Sequence, residues 1–278
     1  MFKSQDQTLS VLIPVYNEER TLTQVIANVL KIPQVHEIIA VDDCSSDATY
    51  ATLAELSRKH PRLRWCRHEK NLGKTMAIKT ALAMSTGEIV IVQDADLEYD
   101  PADIPQIIEP ILKGKADVVF GSRFLVRRAA RVIYFYHYLA NQLFTFCSNL
   151  FTNMHFTDVG TGYKAFRGEI IRNMLLRSSR FGFDMEVTAK IAKLRCRVYE
   201  VPISYHGRTY EEGKKITARD GFYALWCIFK YNLLVSLQRS YTIIPKLLPR
   251  EGSGYLEMGS RRPVRAVEAL VKASKAGS

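Results

Sequence analysis

The run Val90-Ile91-Val92-Gln93-Asp94-Ala95-Asp96-Leu97 ends an apolar segment on two carboxylates spaced i, i+2. An extended chain sends alternate side chains to the same side. Asp94 and Asp96 are therefore predicted to project together beyond a strand too apolar to be exposed. Carboxylates near apolar surface are costly unless a positive group joins them. A divalent cation carrying a diphosphate on its far side answers that need, because Mg²⁺ takes one or two carboxylates plus phosphate oxygens. An isolated Asp-x-Asp also occurs in ordinary polar loops, so the surrounding segments decide.

Other polar groups recur at comparable places. Pro14-Val15-Tyr16-Asn17-Glu18 follows the apolar run Leu9–Pro14, Asp42-Asp43-Cys44-Ser45 follows Glu37–Val41, and Gly121-Ser122-Arg123 follows Asp117–Phe120. Between these runs lie helical patterns at Glu18–Leu30, Asp47–Lys59, Thr75–Ser85 and about Asp103–Lys113, with a further short strand at Leu63–Arg67. Strands alternating with helices predict an α/β fold with a mostly parallel sheet covered on both faces. Such sheets bind ligands at the carboxyl ends of their strands. The acidic segments are thus expected to converge on one rim.

Asn71-Leu72-Gly73-Lys74-Thr75 is not a P-loop, because His68 stands where that motif needs a glycine. Lys74 is instead expected at a helix N-terminus, where backbone N–H groups also favour phosphates. Asp43 suits a base or ribose contact. Ile203-Ser204-Tyr205-His206-Gly207-Arg208, followed by Glu211-Glu212-Gly213-Lys214-Lys215, reads as a glycine-punctuated basic loop. Arg208 and Lys214 are expected to fold over a diphosphate.

Beyond Arg123 the βα rhythm stops. Tyr136, Leu139, Leu143, Phe146 and Leu150 form an apolar stripe at helical spacing, and His137, Asn141, Thr145, Ser148 and Thr152 form a polar one. Arg127, Arg128 and Arg131 precede the stripe, and Phe222, Trp226 and Phe229 beside Lys230 offer a second apolar surface. Basic residues flanking an amphipathic helix favour an anionic bilayer. Further elements are expected at Thr161–Phe166 (strand), Asp184–Leu194 (helix), Arg197–Val201 (strand) and Arg219–Leu237 (helix).

The 278 residues are 47% hydrophobic, enough for a packed core, and carry a net charge of +11 that favours anionic partners. Basic residues are scattered and flank acidic motifs, which argues against nucleic acid. The five cysteines include no C-x-x-C pair and read as reduced thiols. Residues 1–7 lack the apolar core of a signal peptide. Val132–Phe151 and Phe222–Leu237 are too interrupted by polar residues to span a bilayer. The expected location is cytoplasmic, peripheral on the cytosolic face of a membrane. The expected organisation is one domain over 1–240, with a nucleotide-sugar-binding half at 9–123 and an acceptor-side half at 124–240. A mobile basic tail is expected at 241–278, with a short amphipathic helix at Val264–Lys275.

Taken in order, Ile13-Pro14-Val15-Tyr16-Asn17-Glu18-Glu19, Val41-Asp42-Asp43-Cys44-Ser45-Ser46-Asp47, Asn71-Leu72-Gly73-Lys74 and Gln93-Asp94-Ala95-Asp96-Leu97 resemble the family 2 inverting glycosyltransferases. The likeness is to the dolichyl- and polyprenyl-phosphate sugar (mannose or glucose) synthases. It is extended by Gly121-Ser122-Arg123, Gly160-Thr161-Gly162-Tyr163-Lys164 and His206-Gly207-Arg208 and covers roughly residues 9 to 237. It implies a nucleotide-diphospho-sugar transferase fold of GT-A type, Rossmann-like. It further implies that Pro14, Tyr16, Glu18, Val41 and Asp43 hold the nucleoside, and that Asp94, Ala95 and Asp96 lie against the diphosphate. Mg²⁺ or Mn²⁺ would sit on Asp96 and Glu98, with Asp94 beside them, and Arg123, Arg208 and Lys214 would contact donor or acceptor phosphates. Three positions depart from the family pattern: Glu98 replaces a common Gln, Thr75 a frequent Gly, and Gly160–Lys164 a common Ser-Gly-Phe-Arg.

The activity expected is hexosyl transfer, with inversion, from a GDP- or UDP-hexose to a polyprenyl phosphate. Asp96, Arg208 and Lys214 would serve catalysis. A phosphate monoester is already largely dianionic at neutral pH and needs no strong base. A hydroxyl acceptor would need one, with Asp184 or Glu186 as candidates. The alternatives are a soluble family 2 enzyme acting on a hydroxyl, a nucleotidyltransferase, which Pro14–Glu19 fits poorly, and a non-catalytic membrane-docking protein.

Overall fold

The computed structural model describes residues 7–125, 132, 134–179, 182–207 and 218–247. The first part of the chain alternates β1 (Leu9–Val15), α1 (Leu22–Leu30), β2 (Val35–Asp42), α2 (Thr49–Lys59), β3 (Leu63–Arg67), α3 (Lys74–Met84), β4 (Ile89–Val92), α4 (Ile104–Leu112) and β5 (Val118–Ser122). The second part comprises α5 (Phe135–Thr152), β6 (Lys164–Arg167), α6 (Gly168–Arg172), α7 (Gly182–Leu194), β7 (Val198–Pro202) and α8 (Ala218–Phe229).

All seven strands form one sheet in the order β3-β2-β1-β4-β6-β5-β7. Strand order reverses at β1, whose neighbours are β2 and β4, both parallel to it. That reversal opens a crevice at the carboxyl ends of the strands, the place where open α/β sheets bind ligands. The period-2 alternation of a strand explains the two cores. Ile39, Val41, Val90 and Val92 pack on one face with Ala77 and Ile78 of α3, while Ile38, Ala40, Ile89 and Ile91 pack on the other with Val25, Ile26, Ile104 and Ile107.

The mostly parallel sheet agrees with the sequence reading, with one addition. β6 enters between β4 and β5 and runs antiparallel to both. Its apolar pattern carries no direction, and only the path of the chain through α5 sets it. Helix α1 starts at Leu22 rather than Glu18, because Glu18–Thr21 form a turn. Helix α8 stops at Phe229 and widens into a π turn over Lys230–Leu234, short of Leu237. The Lys193 ammonium donates to the carbonyls of Tyr231 and Val235, which draws them away from a regular helical ladder.

Helix α5 is turned inside out relative to an ordinary surface helix. Its polar residues Asn141, Thr145 and Ser148 are buried, whereas Tyr136 is 80% and Phe146 65% exposed. Leu139, Leu143 and Leu150 are exposed beside them, as are Phe222, Trp226 and Phe229 of the adjoining α8. No helix among the described residues is long and apolar enough to cross a membrane. Arg127, Arg128, Arg131, Arg208, Lys214 and the segment Val264–Lys275 lie outside the described residues.

Candidate active site

The loops after β1 and β2 are laced together. The Ser45 hydroxyl accepts from the Asn17 N–H, the Asn17 side chain accepts from the Ser46 N–H, and Thr49 accepts from the Glu18 N–H. Asn17 and Cys44 both adopt positive φ, which lets each loop turn sharply off its strand. Pro14 and Glu18 are half-buried and Tyr16 exposed along this rim, whereas the Val41 side chain lies wholly in the core.

Asp43 is buried and fastens a third loop. Its Oδ1 accepts from the Leu72 N–H at 2.9 Å and its Oδ2 from the Gly73 N–H at 2.7 Å. His68 bridges Asp43 to α3, with Nδ1 2.7 Å from Asp43 Oδ1 and Nε2 2.9 Å from Thr80 Oγ1. Gly73 takes φ 85°, a conformation that favours glycine, and α3 starts at the next residue. Asp43 therefore sets where Lys74 begins. In the sequence His68 serves only to rule out a P-loop, because its partners are distant along the chain.

Lys74 reaches across to β4. Its Nζ lies 2.6 Å from Asp94 Oδ1 and 2.8 Å from Oδ2. Burial works against that charge, yet Asp94, Asp184 and Asp96 outweigh it and hold the ammonium above the ordinary lysine value. Asp94 and Asp96 do not alternate along an extended strand as the spacing predicted. β4 ends at Val92, and Asp94–Glu98 is a turn in which Leu97 takes φ 62° and Asp96 Oδ1 accepts from the Glu98 N–H at 3.0 Å. Local side-chain bonding of aspartate favours such a turn over continued strand. Ala95 between them is buried.

Glu98 is held from the other side of the sequence. Its Oε2 accepts from the Tyr205 hydroxyl at 2.8 Å, and its backbone carbonyl accepts from the His206 N–H at 2.9 Å. Tyr99, Tyr163 and Tyr205 form a ring cluster beneath the turn, with centroids 5.2 and 5.4 Å from Tyr99. Gly162 donates its N–H to the Tyr99 hydroxyl, and a Cβ there would lie 2.8 Å from Asp94 Oδ2. The glycine is thus what lets this backbone approach the Lys74–Asp94 pair.

Arg123 is gripped by the fully buried Asp158, with Nε–Oδ2 2.7 Å and Nη2–Oδ1 2.8 Å, and its Nη2 also donates to Asn141 Oδ1 at 3.3 Å. The buried Asn141 Nδ2, on the same amide, has no hydrogen-bond partner among the described residues. Beneath the site, fully buried Lys164 pairs with Asp184 Oδ1 at 2.5 Å and also donates to the Thr161 carbonyl. Burial lowers the Lys164 pKa, with Asp184 opposing it. Asp158 carries no local sequence signal; Asn141 stands in the sequence only as part of a polar stripe and Asp184 only as a candidate base, and tertiary packing alone brings the three here.

A model of Glycosyl transferase family 2 matches residues 10–175. The chain belongs to that family. Curated relatives include the dolichol-phosphate mannosyltransferase of Pyrococcus furiosus, 30% identical over 210 residues, which are 74% of this chain. The chain spans 58% of that protein's length. The UDP-N-acetylglucosamine–dolichyl-phosphate N-acetylglucosaminyltransferase of Methanococcus voltae is 27% identical, over 78% of this chain and 93% of that one. Among solved structures, glucosyl-3-phosphoglycerate synthase from Mycobacterium tuberculosis, in complex with Mn²⁺, UDP and phosphoglyceric acid, has a TM-score of 0.64 at 19% identity. The match covers 82% of this chain and 79% of that one. It shows the shared GT-A fold.

The resemblance in sequence implies a divalent ion, and the side chains present bear on whether one fits. No three His, Cys, Asp or Glu side chains among the described residues converge to hold a metal by themselves. Asp96 and Glu98 nonetheless offer hard oxygen ligands on one turn, the donor chemistry of Mg²⁺ or Mn²⁺. That set fits an ion completed by phosphate oxygens rather than one caged by protein.

Proposed function

We propose that this protein transfers a hexosyl group, with inversion, from a nucleotide-diphosphate sugar to a polyprenyl phosphate at a membrane surface, using Mg²⁺ or Mn²⁺. The observation that carries the lipid-phosphate reading is the state of the would-be bases. Asp184 is engaged by buried Lys164, and Glu186 is wholly buried against Lys190 and the N–H groups of Arg177 and Ser178. Neither is placed to deprotonate a hydroxyl. A dianionic phosphate needs no such help.

On this reading the rim residues Pro14, Tyr16 and Glu18 border the nucleoside, and Asp43 holds the adjoining Leu72–Lys74 loop in place. The diphosphate lies over Asp94–Glu98. When bound, the divalent ion on Asp96 and Glu98 neutralises charge on the diphosphate. Lys74, kept charged by its carboxylate neighbours, adds fixed positive potential there. The acceptor phosphate is met by Arg123 and by the amide nitrogen of Asn141, which has no hydrogen-bond partner among the described residues, with Arg208 and Lys214 contributing from the basic loop. A phosphate oxygen attacks the anomeric carbon from the face opposite the diphosphate. The new C–O bond forms as the old one breaks, and the electron pair leaves with the nucleoside diphosphate. The exposed face of α5 and α8 rests on the bilayer, where the acceptor's lipid chain resides.

Flotation with liposomes, paired with transfer assays, tests this reading. Binding to anionic vesicles is expected at low salt and weaker binding at about 1 M, where the Debye length is about 3 Å. Replacing Arg127, Arg128 and Arg131 by Gln should lower flotation and polyprenyl-phosphate glycosylation while sparing nucleotide binding. A protein that ignores liposomes yet glycosylates a water-soluble hydroxyl overturns it and is instead a soluble transferase.

A further inference from the structure

Tyr205 touches two groups of opposite charge, one that the reading above gives to the donor and one that it gives to the acceptor. Its hydroxyl donates to Glu98 Oε2 at 2.8 Å, on the acidic turn after β4. Its ring face carries the Arg123 guanidinium, whose carbon lies 5.0 Å from the ring centroid. The residue is fixed from behind by the ring of Tyr99 at 5.4 Å, and the backbones of Tyr99 and Tyr205 form an antiparallel bridge. The next residue donates its N–H to the Glu98 carbonyl. Gly207 completes the arrangement, because a Cβ at that position would fall 2.7 Å from Tyr205 Cε1.

Each contact has a distinct physical consequence. A hydroxyl donated to one oxygen of a carboxylate restricts how that carboxylate can turn. A guanidinium over an aromatic face gains electrostatic attraction and loses rotational freedom. Arg123 is already held within its own plane at Nε and Nη2 by Asp158, and the ring fixes which way that plane faces. One side chain therefore sets the orientation of a donor-side carboxylate and of an acceptor-side cation.

We propose that Tyr205 is a positioning residue that aligns Glu98 with the donor's divalent ion through its hydroxyl and Arg123 with the acceptor phosphate through its ring. The proposal rests on the transferase reading above, and it predicts that the two roles separate by substitution. Tyr205→Phe keeps the ring and removes the donor. Tyr205→Leu removes both.

The test measures Mn²⁺ binding by electron paramagnetic resonance in the presence of UDP or GDP, together with KM for a short polyprenyl phosphate. Outer contacts of this kind typically change metal affinity about 10–100-fold. Tyr205→Phe is expected to weaken Mn²⁺ binding about tenfold or more while leaving the acceptor KM unchanged. Tyr205→Leu is expected to weaken Mn²⁺ binding equally and to raise the acceptor KM as well, so that Phe rescues the acceptor-side defect alone. Thermal melts of both variants identify any general loss of fold, and Tyr205→Phe, the smaller change, carries the decision. Wild-type Mn²⁺ binding in Tyr205→Phe overturns the hydroxyl's role, and an acceptor KM that rises equally in both variants overturns the ring's. If the wild-type protein itself binds no Mn²⁺ with either nucleotide, the donor reading fails and takes the proposal with it, a result distinct from the other two.

Discussion

The Lys74 ammonium spans both carboxylate oxygens of Asp94, at 2.6 and 2.8 Å, and so joins the start of α3 to the end of β4 across the crevice. The two side chains are 32% and 18% exposed, so water screens the pair only in part. Removing one partner strands a half-buried charge.

Lys74→Met is accordingly expected to lower stability by about 2 kcal/mol, below the 3–5 of a fully buried pair because of that exposure. It should also cut transfer by at least about tenfold, since on the proposed reading Lys74 faces the diphosphate. The double variant Lys74→Met, Asp94→Asn should recover the melting temperature without recovering activity. Thermal melts and transfer assays on the three proteins check both statements.

Gly162→Ala should damage the same pair from above. The added Cβ would lie 2.8 Å from Asp94 Oδ2 and 3.2 Å from Tyr99 Cε2. Overpacking of this kind costs about 1–3 kcal/mol. Gly221→Ala in α8 is the control, because the nearest heavy atom is 3.6 Å away and alanine favours a helix. Transfer should fall in the first variant and remain at the wild-type level in the second.

Removal of divalent ions with EDTA is expected to abolish transfer, and Mg²⁺ or Mn²⁺ to restore it. Asp96→Asn should fold normally and lose restoration, while nucleoside monophosphate binding without metal persists. Full transfer in chelator would sink the metal assignment.

Acid stability has its own reporter at Asp117. Burial raises its pKa, but hydrogen bonds and charge from Arg197, with Arg167 behind them, lower it further and leave it below the ordinary 3.8. A depressed folded-state value means that the unfolded chain binds the proton more readily. The stabilisation is thus complete well above pH 3.8, declines as pH falls below that value, and is gone once pH passes the folded-state pKa. Asp117→Asn should be less stable at pH 7 and lose less stability between pH 5 and 2 than the wild type, as measured by urea unfolding at several pH values.

The sequence by itself determined the architecture and the rim on which its polar loops gather. Alternating apolar runs and helical patterns specify a parallel sheet, because a strand buried on both faces must be apolar throughout, and polar residues at strand ends must then share one rim. It also exposed the unusual helix over Tyr136–Leu150, since the period of 3.6 sorts apolar from polar positions whichever way they face. Tertiary structure decided what those residues do. Periodicity has no direction, so it left open that β6 runs antiparallel; for α5 it was the arginines before the apolar stripe, not its period, that favoured the outward face seen in the structure. Spacing has no turn angle, so Asp94 and Asp96 read as strand neighbours when Leu97 in fact bends them into a turn. Partners far apart in the chain leave no local mark. Lys164 with Asp184, Arg123 with Asp158, and Tyr205 with Glu98 meet only once the sheet is assembled, because a charge finds its counter-charge by proximity in space and not by position in sequence.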